Sequence, residues 1–367
     1  MAAIQKRIRN GKTSYRVRYR DPTHTQRSKS FDRRIDAERF ARTVEVEKDS
    51  GTWVDPTAGR TLLNDWRADF IRTEIGLRDS TRRRDASFWH ANAETSIGRL
   101  PLSAIDYSTA QSWVSDLTDR LAPATVLKNY QILSKTLNGA VKAGMIPANR
   151  ASGIQLPSIE VKEQHFLTPP EVNTLAESID PRYRTLVLTM AYGGLRRGEA
   201  FALRRSRIDL MRRHLDVVEA TSEVAGTSGV QFGPPKTKAG HRQVPLPRVV
   251  IDELIPEIAP MEPHQLVWTS PNGEVLRSSF RSRFWMPAVK RAGLDGLRLH
   301  DLRHTAVSLW IHAGAHNKAV AKWAGHASVA SVIDRYGHLM PDTADPVMAA
   351  LDAMSTTADA QVIGLHG

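Results

Sequence analysis

The chain reads Gly193-Gly194-Leu195-Arg196-Arg197-Gly198-Glu199 directly after an apolar run, residues 181–192, whose composition fits a buried helix. Two glycines break that helix, and a new one begins. Arg196 then lies near a helix N-terminus, where N–H groups without intrahelical partners already favour anions. Glu199 stands at i+3 on the same face, placed to orient Arg196. Taken alone, the same residues describe a solvated arginine on an ordinary helix cap.

Further along, Leu299-His300-Asp301-Leu302-Arg303-His304 sets His300 and Arg303 on one helix face, with Leu299 and Leu302 turned toward a core. A planar guanidinium suits two oxygens of a phosphate, and an imidazole beside it can donate a hydrogen bond or move a proton. A metal reading competes, because His300, His304, His312 and His316 form two H-x3-H pairs. Against it, Asp301 stands where zinc helices carry Glu, and the chain has no Cys. No metal is therefore expected. Gly325-His326 follows, then Tyr336-Gly337-His338. On one straight helix His326 and Tyr336 would sit about 15 Å apart. To serve one site the chain must bend between them, or the tyrosine must ride on a mobile segment. Pro235-Lys236-Thr237-Lys238-Ala239-Gly240 precedes a strand at 242–246 and sets Lys236 at a hairpin tip. A polar histidine with its hydrogen bonds satisfied, a buried tyrosine and a solvated turn lysine are the ordinary readings of these features one by one.

With 367 residues, two or three domains are expected. The composition, 41% hydrophobic and 25% charged, is that of a globular chain. The absence of Cys excludes a disulfide framework, thiolate zinc sites and a cysteine nucleophile. No apolar run is long enough for a membrane span, and the first residues lack the apolar core of a secretory signal. The formal charge of +12 points to a polyanion, most plausibly nucleic acid. Its distribution is more telling. Residues 1–30 hold nine Lys or Arg against the single acid Asp21, so most of the excess lies in the first sixth of the chain.

In that basic segment, Tyr15, Val17 and Tyr19 alternate with Arg16, Arg18 and Arg20. Asn10-Gly11 and Asp21-Pro22 mark turns, with flanking strands at 4–8 and 26–31. Ala37, Phe40, Ala41 and Val44 then give a helix with one apolar stripe that stops by Gly51. A sheet backed by a helix, arginines outward, has the outline of a DNA-groove reader; a small sheet kept soluble by its arginines is the plainer alternative. Residues 61–145 show four helical patterns and no convincing strand, the last capped by Gly144. Arg82 and Arg83, within an arginine run, are candidates for phosphate contact, although a solvated helix face is the better description of so short a run. The spacing and punctuation predict domains at 1–58 and 59–150, a linker at 151–165, a third domain at 166–342 and a tail at 343–367. In the third domain Thr168-Pro169-Pro170-Glu171 opens a helix. Strands are expected at 214–224, 242–246 and 266–269, and helices at 278–292, 301–313, 318–323, 328–336 and 347–354.

In this order, Gly-Leu-Arg-x-x-Glu, hairpin Lys, His-x-x-Arg, Gly-His and a Tyr ten residues on, the motifs resemble the tyrosine recombinase (phage integrase) family, most strongly over residues 166–340. The resemblance implies a multi-domain, mainly α fold with small β-sheets: an N-terminal three-stranded sheet plus helix that binds arm-type DNA, a four-helix core-binding domain and a mixed α+β catalytic domain. It implies that Arg196 and Arg303 bind the scissile phosphate and that Tyr336 is the nucleophile. His300 and His326 assist, Lys236 is the general acid and Glu199 supports the site. The implied activity is integration and excision of a phage or mobile element through a 3′-phosphotyrosine, without metal or cofactor. Expected partners are double-stranded DNA carrying core-type and arm-type sites, three further copies in a homotetrameric synaptic complex, a host DNA-bending factor and an excisionase. The expected place is the cytoplasm of a bacterial host, on DNA. A Xer-like resolvase and a type IB topoisomerase-like strand transferase are the alternatives; a non-catalytic regulator or a zinc hydrolase explains fewer of these residues. Two departures stand out. Asn149-Arg150 replaces the frequent Asn-Pro at the end of the core-binding domain, and Lys238 shares the hairpin with Lys236.

Overall fold

The computed structural model describes residues 3–9, 12–21, 24–49, 57–160, 165–223, 229–235, 237–326, 328–340, 348 and 351. It divides into two compact units, Met1–Val161 and Lys162–Gly367. The chain is mainly helical with small antiparallel sheets. Among the described residues no helix is long and apolar enough to cross a membrane.

The first unit opens with an antiparallel sheet, β1 (Ala3–Arg9), β2 (Lys12–Arg20) and β3 (Gln26–Phe31), in the order β1-β2-β3. Alternation along β2 buries Val17 and Tyr19 against α1 (Arg34–Asp49), which supplies Ala37, Phe40 and Val44. The Tyr19 and Phe40 rings meet edge-on at 5.7 Å. Arg18 and Arg20 are exposed, as the two-residue period requires. Arg16 is half-buried and donates to Ser28 Oγ at 2.7 Å. The expected turn at Asn10-Gly11 lies outside the described residues, as does Pro22 of the second turn.

Four helices follow: α2 (Leu63–Thr73), α3 (Asp79–Asn92), α4 (Tyr107–Thr118) and α5 (Pro123–Lys142). Their apolar stripes converge on Leu63, Trp89, Trp113, Leu133 and Leu137. Both buried tryptophans find an acceptor for the indole N–H, Trp113 on Asn92 O at 3.0 Å and Trp89 on Asn64 Oδ1 at 2.9 Å. Ala151, Ile154 and Leu156, within the segment read as a linker, also pack into this cluster. Arg82 and Arg83 sit on the exposed face of α3, and Arg82 donates to the carbonyls of Glu74 and Leu77, holding the loop before the helix.

The second unit begins with α6 (Pro169–Ser178), whose Thr168 and Glu171 form the expected capping box. Helices α7 (Arg184–Gly193) and α8 (Arg197–Phe201) bracket the Gly-Gly-Leu-Arg turn. Strands β4 (Ile208–Asp209), β5 (His214–Val217) and β8 (Arg242–Pro245) form one sheet, and β6 (Ala220–Glu223) with β7 (Val230–Gly233) another. Then come α9 (Arg248–Ile258), α10 (Met286–Arg291), α11 (Asp301–His312), α12 (Asn317–Ala324) and α13 (Ala330–Tyr336). Helix α7 is buried almost throughout and packs along α11.

Three local expectations change. The strand at 214–224 splits in two, because β5 pairs with β8 while β6 pairs with β7. Residues 266–269 form no strand; Leu266 and Thr269 each make an isolated bridge, to Arg204 and Val275. The helix at 278–292 contains a π-helical turn at Arg281–Trp285 that turns Trp285 into the core. The expected helix at 347–354 lies largely outside the described residues.

Gly139 of α5 faces Phe70, and a Cβ there would lie 2.4 Å from the ring. Helix propensity favours almost any residue over glycine, by up to about 1 kcal/mol. Overpacking opposes this at about 1–3 kcal/mol. Gly139→Val is therefore expected to lower the thermal midpoint of the helical unit, measured by circular dichroism; an unchanged or raised midpoint contradicts the packing.

Candidate active site

Helix α12 ends at Gly325, whose φ of 62° is left-handed. The last carbonyls of a helix lack intrahelical partners and carry the negative end of its dipole. Here three consecutive carbonyls are each met by a different arginine. Arg242 Nε donates to Trp323 O at 2.6 Å, Arg303 Nη2 to Ala324 O, and Arg196 Nη2 to Gly325 O at 3.0 Å. The arginines come from β8, α11 and the cap of α8, so one helix end ties three elements together. Gly325 permits the approach. A Cβ there would lie 2.8 Å from Ala239 O and 3.1 Å from Arg242 Nη1. Arg303 also donates to Gly194 O at 2.7 Å.

Glu199 is the counter-charge. Its Oε1 and Oε2 accept from Arg242 Nη1 and Nη2 at 3.1 and 2.8 Å. They also accept from Arg196 Nη1 at 2.7 Å and from the Arg196 backbone N–H at 2.9 Å. Both Glu199 and Arg242 are almost fully buried, whereas Arg196 keeps about a third of its side chain open. Burial alone would raise the Glu199 carboxyl, but Arg242 and then Arg196 outweigh it and hold the group below the usual carboxylate range. Arg303 is pushed down to about 9, first by burial and then by the charges of Arg196 and Arg242. Three guanidinium groups around one carboxylate leave a concentrated positive site that suits an anion with several oxygens.

Two expected histidines lie in the same field. His300 caps α11, and burial followed by Arg303 lowers its pKa. His326, half-buried just after Gly325, is pushed down to about 4 by burial, then by Arg303 and Arg196. Both are neutral at neutral pH and can donate through one ring N–H.

Tyr336 closes α13 and is buried among Val307, Val320 and Val332. Its hydroxyl meets His304 Nδ1 at 2.5 Å. Burial raises its pKa, while Arg303 and Arg335 pull the other way. The chain does bend between His326 and Tyr336, because α12 stops at Gly325 and α13 begins at Ala330.

The structure thus ties Arg196 to Glu199 and sets Arg303 on the same helix end, with His300, His326 and Tyr336 within reach of Arg303's charge. Lys236 lies outside the described residues, and Lys238 begins the short turn Lys238–Gly240. Among the described residues no group of three or more His, Asp or Glu is placed to hold a metal. Two residues escaped the sequence reading as parts of this site. Arg242 was visible only as the start of a strand, and His304 only as one of four spaced histidines. A charged residue at a position the alternation buries was the available signal for Arg242.

Removing one partner of a buried ion pair costs about 3–5 kcal/mol, because the other charge is left uncompensated. Arg242→Met is expected to destabilise the second unit by that order in chemical denaturation. Arg242→Met with Glu199→Met is expected to regain part of it. The Glu199 contribution is present above about pH 4.5 and is lost as pH falls through its lowered pKa, so Glu199→Gln flattens the acid limb of stability.

The chain is similar to known proteins in sequence and in fold. Residues 165–342 match the model of the phage integrase family. The chain is 26% identical to a putative prophage phiRv2 integrase of Mycobacterium tuberculosis over 326 residues, covering 84% of each chain. It is 24% identical to the integrase of Mycobacterium phage L5, covering 82% of this chain and 83% of that one. Among solved structures, the Tn1549 transposon integrase (residues 82–397 of that protein), in complex with a circular intermediate DNA, aligns with a TM-score of 0.68 at 17% identity, covering 80% of this chain and 99% of that one. A lambda integrase tetramer bound to a Holliday junction aligns with a TM-score of 0.56 at 20% identity, covering 92% and 95%. Residues 165–342 thus carry a phage integrase family domain, and the integrase relatives and the solved integrases of like fold agree with that match.

Proposed function

We propose that this chain is a site-specific DNA integrase that cuts and rejoins DNA through a 3′-phosphotyrosine, moving a phage or mobile element into and out of a chromosome. The observation that carries this reading is the array of Arg196, Arg242 and Arg303 around Glu199 beside Tyr336. It is an anion site next to a phenol.

In this mechanism the scissile phosphodiester enters as the anion that the arginines lack. Arg196 and Arg303 hold its non-bridging oxygens, and His300 and His326 donate further hydrogen bonds as negative charge builds. Glu199 orients Arg196. The Tyr336 oxygen bonds to phosphorus, the bond to the 5′-oxygen breaks, and Lys236 protonates the departing alkoxide. One preorganised donor of this kind is worth about 10²–10³ in rate. Bond energy stays in the phosphotyrosine, so a second 5′-hydroxyl can reseal the strand without ATP.

In the same reading, the β1-β2-β3 sheet with Arg16, Arg18 and Arg20 binds arm-type DNA, and the four-helix region, with Arg82 and Arg83, contacts core-type DNA. Relatives solved on DNA, one of them as a tetramer, support DNA as the substrate and a homotetramer as the working assembly. A host DNA-bending factor and an excisionase complete the reading, which sets the chain on DNA in the cytoplasm of a bacterial host.

Tyr336→Phe removes one oxygen and none of the phosphate donors. It is expected to abolish the covalent complex with a nicked core-site duplex on a denaturing gel while leaving DNA affinity within about threefold. A persisting covalent band assigns the nucleophile elsewhere. Replacing Arg16, Arg18 and Arg20 with Gln in the full chain is expected to weaken arm-site binding and to reduce its salt slope by about 0.9 for each phosphate no longer neutralised. An unaltered slope in a filter-binding titration removes arm binding from this face.

A further inference from the structure

Among the described residues, His304 is a buried group that touches the reacting oxygen of Tyr336 and that the mechanism above leaves idle. It follows Arg303 on α11, one turn after His300, and Tyr336 ends α13. The phenol hydroxyl and His304 Nδ1 are 2.5 Å apart, and His304 and Tyr336 are 4% and 1% exposed. The His300 ring stands edge-on to His304 at 5.0 Å. Water has almost no access to this pair, so a proton leaving the phenol needs a protein acceptor.

We propose that His304 is the catalytic base of this site, taking the Tyr336 proton during strand cleavage and returning it during religation. The inference rests on the reading of Tyr336 as the nucleophile. In cleavage the phenol proton passes to His304 Nδ1 as the phenol oxygen bonds to phosphorus. The phosphorus–5′-oxygen bond breaks, its electron pair stays on the 5′-oxygen, and the general acid protonates it. In religation a DNA 5′-hydroxyl gives its proton to the deprotonated general acid as it attacks the phosphotyrosine, the bond from phosphorus to the tyrosine oxygen breaks, and the departing phenolate recovers its proton from His304.

The surroundings suit this task. The groups facing His304 are His300, Asp301 and Arg303 of α11 and its cap, and Arg335 and Tyr336 of α13. Burial first, then His300 and Arg335, push His304 down to about 4, so it is neutral and free to accept a proton. Asp301 alone among these charges favours the imidazolium. A phosphodiester beside Arg303 adds a second negative charge and raises the affinity of His304 for a proton when the transfer is due. A phenol has an ordinary pKa of about 10, so without a base only a small fraction reacts near neutrality.

The test uses the full chain in single-turnover cleavage of a nicked core-site duplex, from about pH 6 to about pH 9. His304→Asn offers a carbonyl near the Nδ1 position, keeping a hydrogen-bond acceptor that cannot take the proton. The expected result is cleavage slowed about 10²–10⁴-fold near neutrality, rising about tenfold per pH unit, with DNA affinity unchanged. Cleavage within about threefold of the unmutated chain, or equal slowing at every pH, overturns the proposal. A measurement on the unmutated chain stands independently of whether the variant folds. With sulfur replacing the bridging 5′-oxygen, the leaving group needs no proton, so slowing in D2O reports the phenol proton. Clear slowing supports transfer to a base, and its absence overturns it. If the unmutated chain forms no covalent complex with any core-site DNA, the nucleophile assignment falls as well, an outcome distinct from failure of His304 alone.

Discussion

The carbonyl end of helix α12 organises the second unit. Three neighbouring carbonyls carry partial negative charge and lack helical partners, and three arginines from separate elements satisfy them. Each guanidinium has donors to spare, so Arg196 and Arg242 bind the helix end and still meet Glu199, while Arg303 also meets the Gly194 carbonyl. The arrangement is mutually dependent. Glu199 makes it possible to bury Arg242, Arg242 makes it possible to bury Glu199, and Gly325 leaves room for Arg242. A buried ion pair is weak evidence for stability in itself. Its value here is geometric, since it fixes Arg196 and the residue that follows Gly325, His326.

The same crowding sets the chemistry. Burial and like charge push Arg303, His300 and His326 toward their neutral forms. In the proposed mechanism an incoming phosphate offsets the like charge, because it supplies negative charge where the guanidinium groups converge. Tyr336 is treated differently. It is packed among aliphatic side chains and hydrogen-bonded to His304, so its proton is retained until a reaction removes it.

The first unit follows simpler rules. One strand alternates aromatic and basic residues; the aromatic face is covered by α1, and the opposite face keeps Arg18 and Arg20 in solvent. The four helices after it close on tryptophans whose N–H groups are all the polar cost of burying them, and each cost is met by a nearby acceptor.

Much of this was legible in the residues. Alternation along β2, helical spacing in α2 to α5, the capping box at Thr168 and the glycine pair before Leu195 are local signals, and local sterics and hydrogen bonding decide them. The order of the charged motifs was enough to suggest the family and to single out Arg196, His300, Arg303, His326 and Tyr336. What sequence spacing could not supply is which distant groups share a carboxylate or a carbonyl. Arg242 is 43 residues from Glu199, and His304 is 32 from Tyr336. The split of one expected strand into β5 and β6 depended likewise on partners elsewhere in the chain. Local patterns determine which face of an element is apolar. Burial, charge crowding and the identity of the atom opposite a side chain exist only once the elements have packed.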